Sequence, residues 1–130
     1  MKKELDVVAA LIKKDGKFLL CQRREGDSFA LLWEFHGGAV ERNETFAAAI
    51  EREIKEELNL KVKAKELLGV FEDQNRVLKI KVYLFSSLIK QAGSPRAKDC
   101  KDFGFFSFNE IRKLKLAPVD GKIFQYFTKI

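Results

Sequence analysis

Apolar and polar positions alternate strictly in one part of the chain, where Leu78, Ile80, Val82 and Leu84 are separated by Lys79, Lys81 and Tyr83. A period of two predicts a strand with one face buried, here over residues 77–89. Residues 5–12 are apolar apart from Asp6, as expected of a strand buried on both faces. Asp15-Gly16 supplies a turn, and residues 17–23 resume as a second strand, so the two form a hairpin. Residues 24–32 read as loop, and residues 33–35 as a short aromatic strand that Gly37-Gly38 breaks. From Asn43 or Glu44 the period changes to that of a helix, with Ala47, Ile50, Ile54 and Leu58 in one stripe and Asn59 at its C-terminal end. Residues 67–71 and 103–106 are further strands, and residues 91–102, with Pro95, a polar loop. Residues 108–116 form a short helix and 119–127 a terminal one. The expected class is α+β, a mixed sheet with helices packed on it, in one domain spanning residues 1–130.

A chain of 130 residues buries a core without staples. No apolar run reaches the length of a membrane span, and the basic start is interrupted by Glu4 and Asp6, so a cytoplasmic protein without a membrane partner is expected. Cys21 and Cys100 lie far apart in sequence, form no ligand-like pair, and read as reduced packing residues. The net charge of +6 draws polyanions. The lysines are scattered, however, so a nucleotide substrate is expected but no stable nucleic-acid partner. Monomer and homodimer both remain open.

The helix runs against the basic balance of the chain. Glu53, Glu56 and Glu57 form a stripe beside the apolar one, although like charges at this spacing weaken a helix by about 0.2–0.5 kcal/mol per pair. A solvated acidic face is the plainer reading of most Glu-rich helices. Here the acids border the core stripe, the side chain among them is the small Ala49, which leaves space above them, and a Gly-Gly turn precedes the helix. Clustered hard oxygens without His or Cys suit Mg²⁺, with Mn²⁺ as a substitute, and the cation relieves the repulsion.

These residues resemble the Nudix hydrolases, whose box is G-x5-E-x7-R-E-U-x-E-E-x-G-U, with U a bulky aliphatic. Gly38, Glu44, Arg52, Glu53, Ile54, Glu56, Glu57 and Leu60 match at the right spacing, and Asn59 stands where the box has Gly. The segment LLWEFHGGAVE is similar to the W-E-F-P-G-G-x-x-E of MutT-type nucleoside triphosphate pyrophosphohydrolases. LAPVD at 116–120 is similar to the L-A-P-A-D of their CTP/dCTP-preferring relatives. The resemblance implies an α/β/α sandwich with a loop-helix catalytic motif. It implies that Glu53, Glu56, Glu57 and the Gly37 carbonyl hold the divalent cations, that Arg52 orients the acids, and that Glu44 supports the loop. Glu53 is the expected proton acceptor. Asp99 is a possible further acid, with a plain solvent-exposed charge the simpler reading. His36 replaces the usual Pro and is not read as a metal ligand.

By the same resemblance Arg23 meets the substrate phosphate, unless it is a surface arginine. Phe35 either stacks on a base or packs in the core. Asp120 either reads a base, as an ionised acceptor suited to the cytosine amine, or caps the last helix. The activity implied is Mg²⁺-dependent hydrolysis of a (deoxy)nucleoside triphosphate to the monophosphate and pyrophosphate, with oxidised or modified nucleotides as candidate substrates. The alternatives are another nucleoside diphosphate derivative (a dinucleoside polyphosphate, ADP-ribose or an RNA 5′ end) and a silent nucleotide- or RNA-binding module.

Overall fold

The structure, a computed structural model, describes residues 2–91, 93 and 95–128. Its first strand, β1 (Lys3–Lys14), turns at Asp15-Gly16 into β2 (Lys17–Gln22). Both turn residues have positive φ, 53° and 76°, as expected of a two-residue hairpin turn whose twist matches its strands. The chain continues through β3 (Trp33–Glu34), β4 (Gly37–Ala39), α1 (Phe46–Leu58), β5 (Lys61–Gln74), β6 (Leu78–Gln91), β7 (Asp102–Phe106), α2 (Phe108–Ile111) and α3 (Pro118–Thr128).

The sheet is mixed, in the order β3-β2-β1-β6-β5, with β1 and β6 parallel; β4 pairs with β1, and β7 with β2. Side chains from β1 alternate between two cores. Val8, Ala10 and Ile12 join Ile50, Ile54 and Leu58 of α1 on one face. Ala9 joins Phe35, Ile111 and Ile123 on the other, under α2 and α3. Both faces are therefore covered, which is why β1 reads as a continuous apolar run and why the architecture is the expected α/β/α sandwich.

Several boundaries differ from the sequence reading. Gly37-Gly38 does not end a strand but forms one, with Gly37, Gly38 and Ala39 opposite Ala9, Val8 and Val7. The fifth strand starts at Lys61, six residues before the expected position, because Val62 and Ala64 point into the α1 core while Lys61, Lys63 and Lys65 face out. The helix α1 begins at Phe46, just after the expected Asn43 or Glu44, and is capped by Thr45, its hydroxyl accepting from the Ala48 N–H. Asn59 closes it in the left-handed conformation, φ 55°, as its side chain type permits. The short helix α2 ends at Ile111.

Candidate active site

Arg52 is the hub of the acidic helix. Its Nε donates to Glu44 Oε2 at 2.7 Å and its second terminal nitrogen to Glu44 Oε1 at 3.0 Å, a two-pronged pairing across the loop before α1. The other nitrogen donates to Glu53 Oε1 at 3.0 Å and to Glu56 Oε2 at 3.4 Å. Glu44 in turn accepts from the Glu41 N–H, and Glu41 adds a fourth carboxylate 3.4 Å from Arg52. One fork-shaped cation thus fixes both the loop and two of the clustered acids.

Glu53, Glu56 and Glu57 present carboxylate oxygens that all lie within 4.8 Å of one another. Glu57 Oε2 is buried and has no hydrogen-bond partner. A buried acceptor of this kind costs free energy unless something pairs with it. Burial pushes the Glu57 carboxyl up to about 7, with donation of its proton to the Asp99 carboxylate and the negative charges of Asp99 and Glu53 adding to it. Burial also raises Glu53, against the pull of Arg52. A compact set of hard oxygens with an orphaned buried member fits a divalent cation with oxygen ligands. Gly38 belongs to the same design: a Cβ there would lie 2.5 Å from Glu53 Cδ, so any larger residue would push that carboxylate aside. At Gly37 a Cβ would run into the Val8 carbonyl.

Ala49 does not leave space above the acids; it is fully buried in the core beside Ile50 and Ile54. Asp99 stands beside Glu57, and it pairs with Arg24 at 3.7 Å. His36 is buried, and neither ring nitrogen has a partner. Loss of hydration depresses its pKa to about 4, so it is a neutral imidazole at physiological pH.

A cleft beside Gly37 and Gly38 runs between the sheet and α3, lined by Arg23, Glu34, Phe35, Val82 and Asp120. It continues past Phe29 and Asp73. Arg23 is not a plain surface arginine: it bonds Glu34 at 3.1 and 3.2 Å and the Ser28 carbonyl at 2.6 Å. Phe35 packs in the core with 5% exposure, at the floor of the cleft. Asp120 does not cap α3, which begins at Pro118; it lies in the first turn, and its Oδ1 accepts from the Phe35 N–H at 2.9 Å. Nor is it ionised at neutral pH. Burial, assisted by the nearby Glu34 charge, lifts it to about 8. The sequence reading missed Glu34 and Glu41. Glu34 was within reach, since it adjoins the aromatic pair Trp33 and Phe35 and faces the CQRR end of β2.

The acids gathered on α1 stand behind the glycine strand that lines one side of this cleft. The chain matches the NUDIX domain over residues 2–127, and it belongs to the Nudix family. It is 34% identical to the CTP pyrophosphohydrolase of Escherichia coli K12, over 98% of this chain and 94% of that one. It is 33% identical to the 8-oxo-dGTP diphosphatase of Haemophilus influenzae, over 94% and 90% of the two chains. The solution structure of the E. coli ORF135 protein superposes with a TM-score of 0.84 at 31% identity, covering 98% of this chain and 91% of that one. The protein is thus a Nudix hydrolase, an enzyme acting on nucleotide pyrophosphates, and hydrolases of this family require divalent metal ions. No helix among the described residues is long and apolar enough to cross a membrane.

Proposed function

We propose that the protein hydrolyses a (deoxy)nucleoside triphosphate to the monophosphate and pyrophosphate, with Mg²⁺ held by Glu53, Glu56, Glu57 and the Gly37 carbonyl. The observation that carries this reading is the continuity of the cleft, from Asp120 and Glu34 at one end to Gly38, backed by Glu53, at the other. Bound there, the cation would neutralise charge on the phosphate oxygens and lower the cost of forming a nucleophile from water. The chain's own residues do the rest. Arg52 holds Glu53 and Glu56 in position, and Glu53 takes the proton of the attacking water. Arg23, released from Glu34, pairs with phosphate oxygens. Phe35 and Val82 provide an apolar seat for the base.

Base selection falls to Asp120 and Glu34. Burial and the Glu34 charge raise Asp120 to about 8, and a protonated carboxyl donates as well as accepts, while Glu34, paired with Arg23, accepts. This revises the expectation of an ionised, accept-only Asp120. A neutral Asp120 matches adjacent acceptor and donor groups on a base edge, such as N3 and the amine of cytosine, and equally a carbonyl beside an N–H on an oxidised purine. The names of the two relatives, one for CTP and one for 8-oxo-dGTP, are consistent with that tolerance. A panel of CTP, dCTP, UTP, GTP and 8-oxo-dGTP with Mg²⁺, scored for pyrophosphate, tests the proposal; release of orthophosphate in place of pyrophosphate would overturn it.

A further inference from the structure

The chain has two cysteines, and the fold brings them together. On β2, Cys21 lies opposite Phe103 and Gln22 opposite Asp102, and the Lys101 N–H donates to the Gln22 carbonyl at 2.8 Å. The chain entering β7 therefore runs back along β2 and lays Cys100 against the core cluster that contains Cys21. Both cysteines are free thiols in that one cluster, Cys21 buried within it and Cys100 partly exposed at its edge, and each lies close enough to be the other's electrostatic neighbour. The glutamates Glu34 and Glu57 of the cleft and the acid cluster are the electrostatic neighbours of both.

The segment before Cys100 is fastened to the acidic helix. The Arg96 N–H donates to the Leu58 carbonyl at 3.0 Å, and the Lys98 N–H to the Glu57 carbonyl at 3.0 Å. Between this anchor and Cys100 stands Asp99, beside Glu57 and paired with Arg24 at 3.7 Å. Any movement of Cys100 is thus transmitted directly to Asp99.

We infer that Cys21 and Cys100 are a peroxide-oxidisable dithiol whose closure to a disulfide draws Asp99 from Glu57 and turns the hydrolytic site off. The effect on activity rests on the assignment of Glu57 and Asp99 to that site. Hydrogen peroxide supplies the oxidant: its O–O bond breaks on Cys100 sulfur, which gains oxygen as the sulfenic acid while one water leaves. The Cys21 sulfur then attacks the Cys100 sulfur, the S–O bond breaks, and a second water leaves. Two thiols and one peroxide become one disulfide and two waters. A disulfide holds its sulfurs about 2.05 Å apart, far closer than non-bonded contact, so the Cys100 segment must shift. Displacement of a site group by an ångström or so is enough to cost on the order of a hundredfold in rate.

The experiment treats the reduced full chain with hydrogen peroxide, removes the excess, and follows free thiols, intact mass, Mg²⁺-induced thermal stabilisation and hydrolysis. The expected result is loss of both thiols in a monomeric product lighter by two hydrogens. Mg²⁺ stabilisation weakens, turnover falls about tenfold or more, and dithiothreitol restores all of them. Cys100→Ser and Cys21→Ala should each show near-wild-type reduced activity that peroxide leaves unchanged. Persistence of both thiols, a disulfide between two chains, or a disulfide that leaves Mg²⁺ stabilisation and turnover untouched would each overturn the inference. If the reduced protein hydrolyses none of the panel, the proposed function fails instead, while thiol count, mass and Mg²⁺ stabilisation still decide the switch.

Discussion

Asp120, in the first turn of α3, accepts a hydrogen bond from the backbone N–H of Phe35 at 2.9 Å, joining the last helix to the link between β3 and β4. The bond is buried, and the carboxyl that makes it is neutral at physiological pH because its pKa sits at about 8. Stability therefore depends on the protonation of this one side chain.

Asp120→Asn keeps an oxygen for Phe35 and a donor for the base, so hydrolysis of CTP should stay within a few-fold of wild type. Its stability should respond to pH in a defined direction. The unfolded aspartate loses its proton near the usual 3.8 and the folded one near 8, so wild-type stability falls as pH rises through that window. The asparagine variant lacks this loss, and its stability relative to wild type should grow between pH 5 and pH 8 in urea titrations. Asp120→Ala strands the Phe35 N–H and should cost about 1–3 kcal/mol. A relative stability of Asp120→Asn that is flat with pH would show the carboxyl to be ionised in the folded protein.

His36 has the opposite sign. Its folded pKa is about 4 against an ordinary 6.5, so as pH falls from 6.5 towards 4 the unfolded chain takes up a proton that the folded one refuses. Stability from this group is complete above pH 6.5 and declines below it, by about 3 kcal/mol over the whole window at roughly 1.4 kcal/mol per unit. His36→Leu should remove that decline. Parallel pH dependence of the two proteins in urea unfolding would contradict the burial of a neutral ring.

Gly38→Ala places a methyl group 2.5 Å from Glu53 Cδ, and the flexible carboxylate gives way before the backbone does. The protein should fold with a melting temperature close to wild type. Turnover should drop about a hundredfold, the scale for a misplaced site group. Full activity in this variant would remove Glu53 from the site.

Mg²⁺ affinity should rise with pH through about 7, because the proton held by Glu57, next to Asp99, competes with the cation. Isothermal titration at pH 6 and pH 8 measures this, and Asp99→Asn, which removes the neighbouring negative charge, should shift the rise to lower pH. Affinity independent of pH would contradict a raised Glu57.

The acidic helix was legible because its evidence is local: a change of period to 3.6, Asn59 at its end, and acids at fixed spacing from Gly38. The alternation KVKAK at residues 61–65 also announced the start of β5, and was overshadowed by its lysines. Other features are tertiary in origin. Glycines disfavour strands, yet Gly37 and Gly38 pair with β1, because at Gly37 only glycine fits against the Val8 backbone and at Gly38 a side chain would displace Glu53. The neutrality of Asp120 comes from burial by residues far away in sequence. The meeting of Cys21 and Cys100 follows from the pairing of β2 with β7, which neither segment specifies alone.

Pyrophosphate release with Mg²⁺ by wild type, Glu53→Gln and Glu57→Gln tests the central claim most directly. The substrates to compare are CTP, dCTP and 8-oxo-dGTP. Each substitution removes a charge facing a cation whose contribution is several kcal/mol, so turnover should fall by about a hundredfold or more in both variants with the fold intact. The wild-type products should be the monophosphate and pyrophosphate. Near-wild-type rates in both variants, or a diphosphate and orthophosphate as products, would contradict the account.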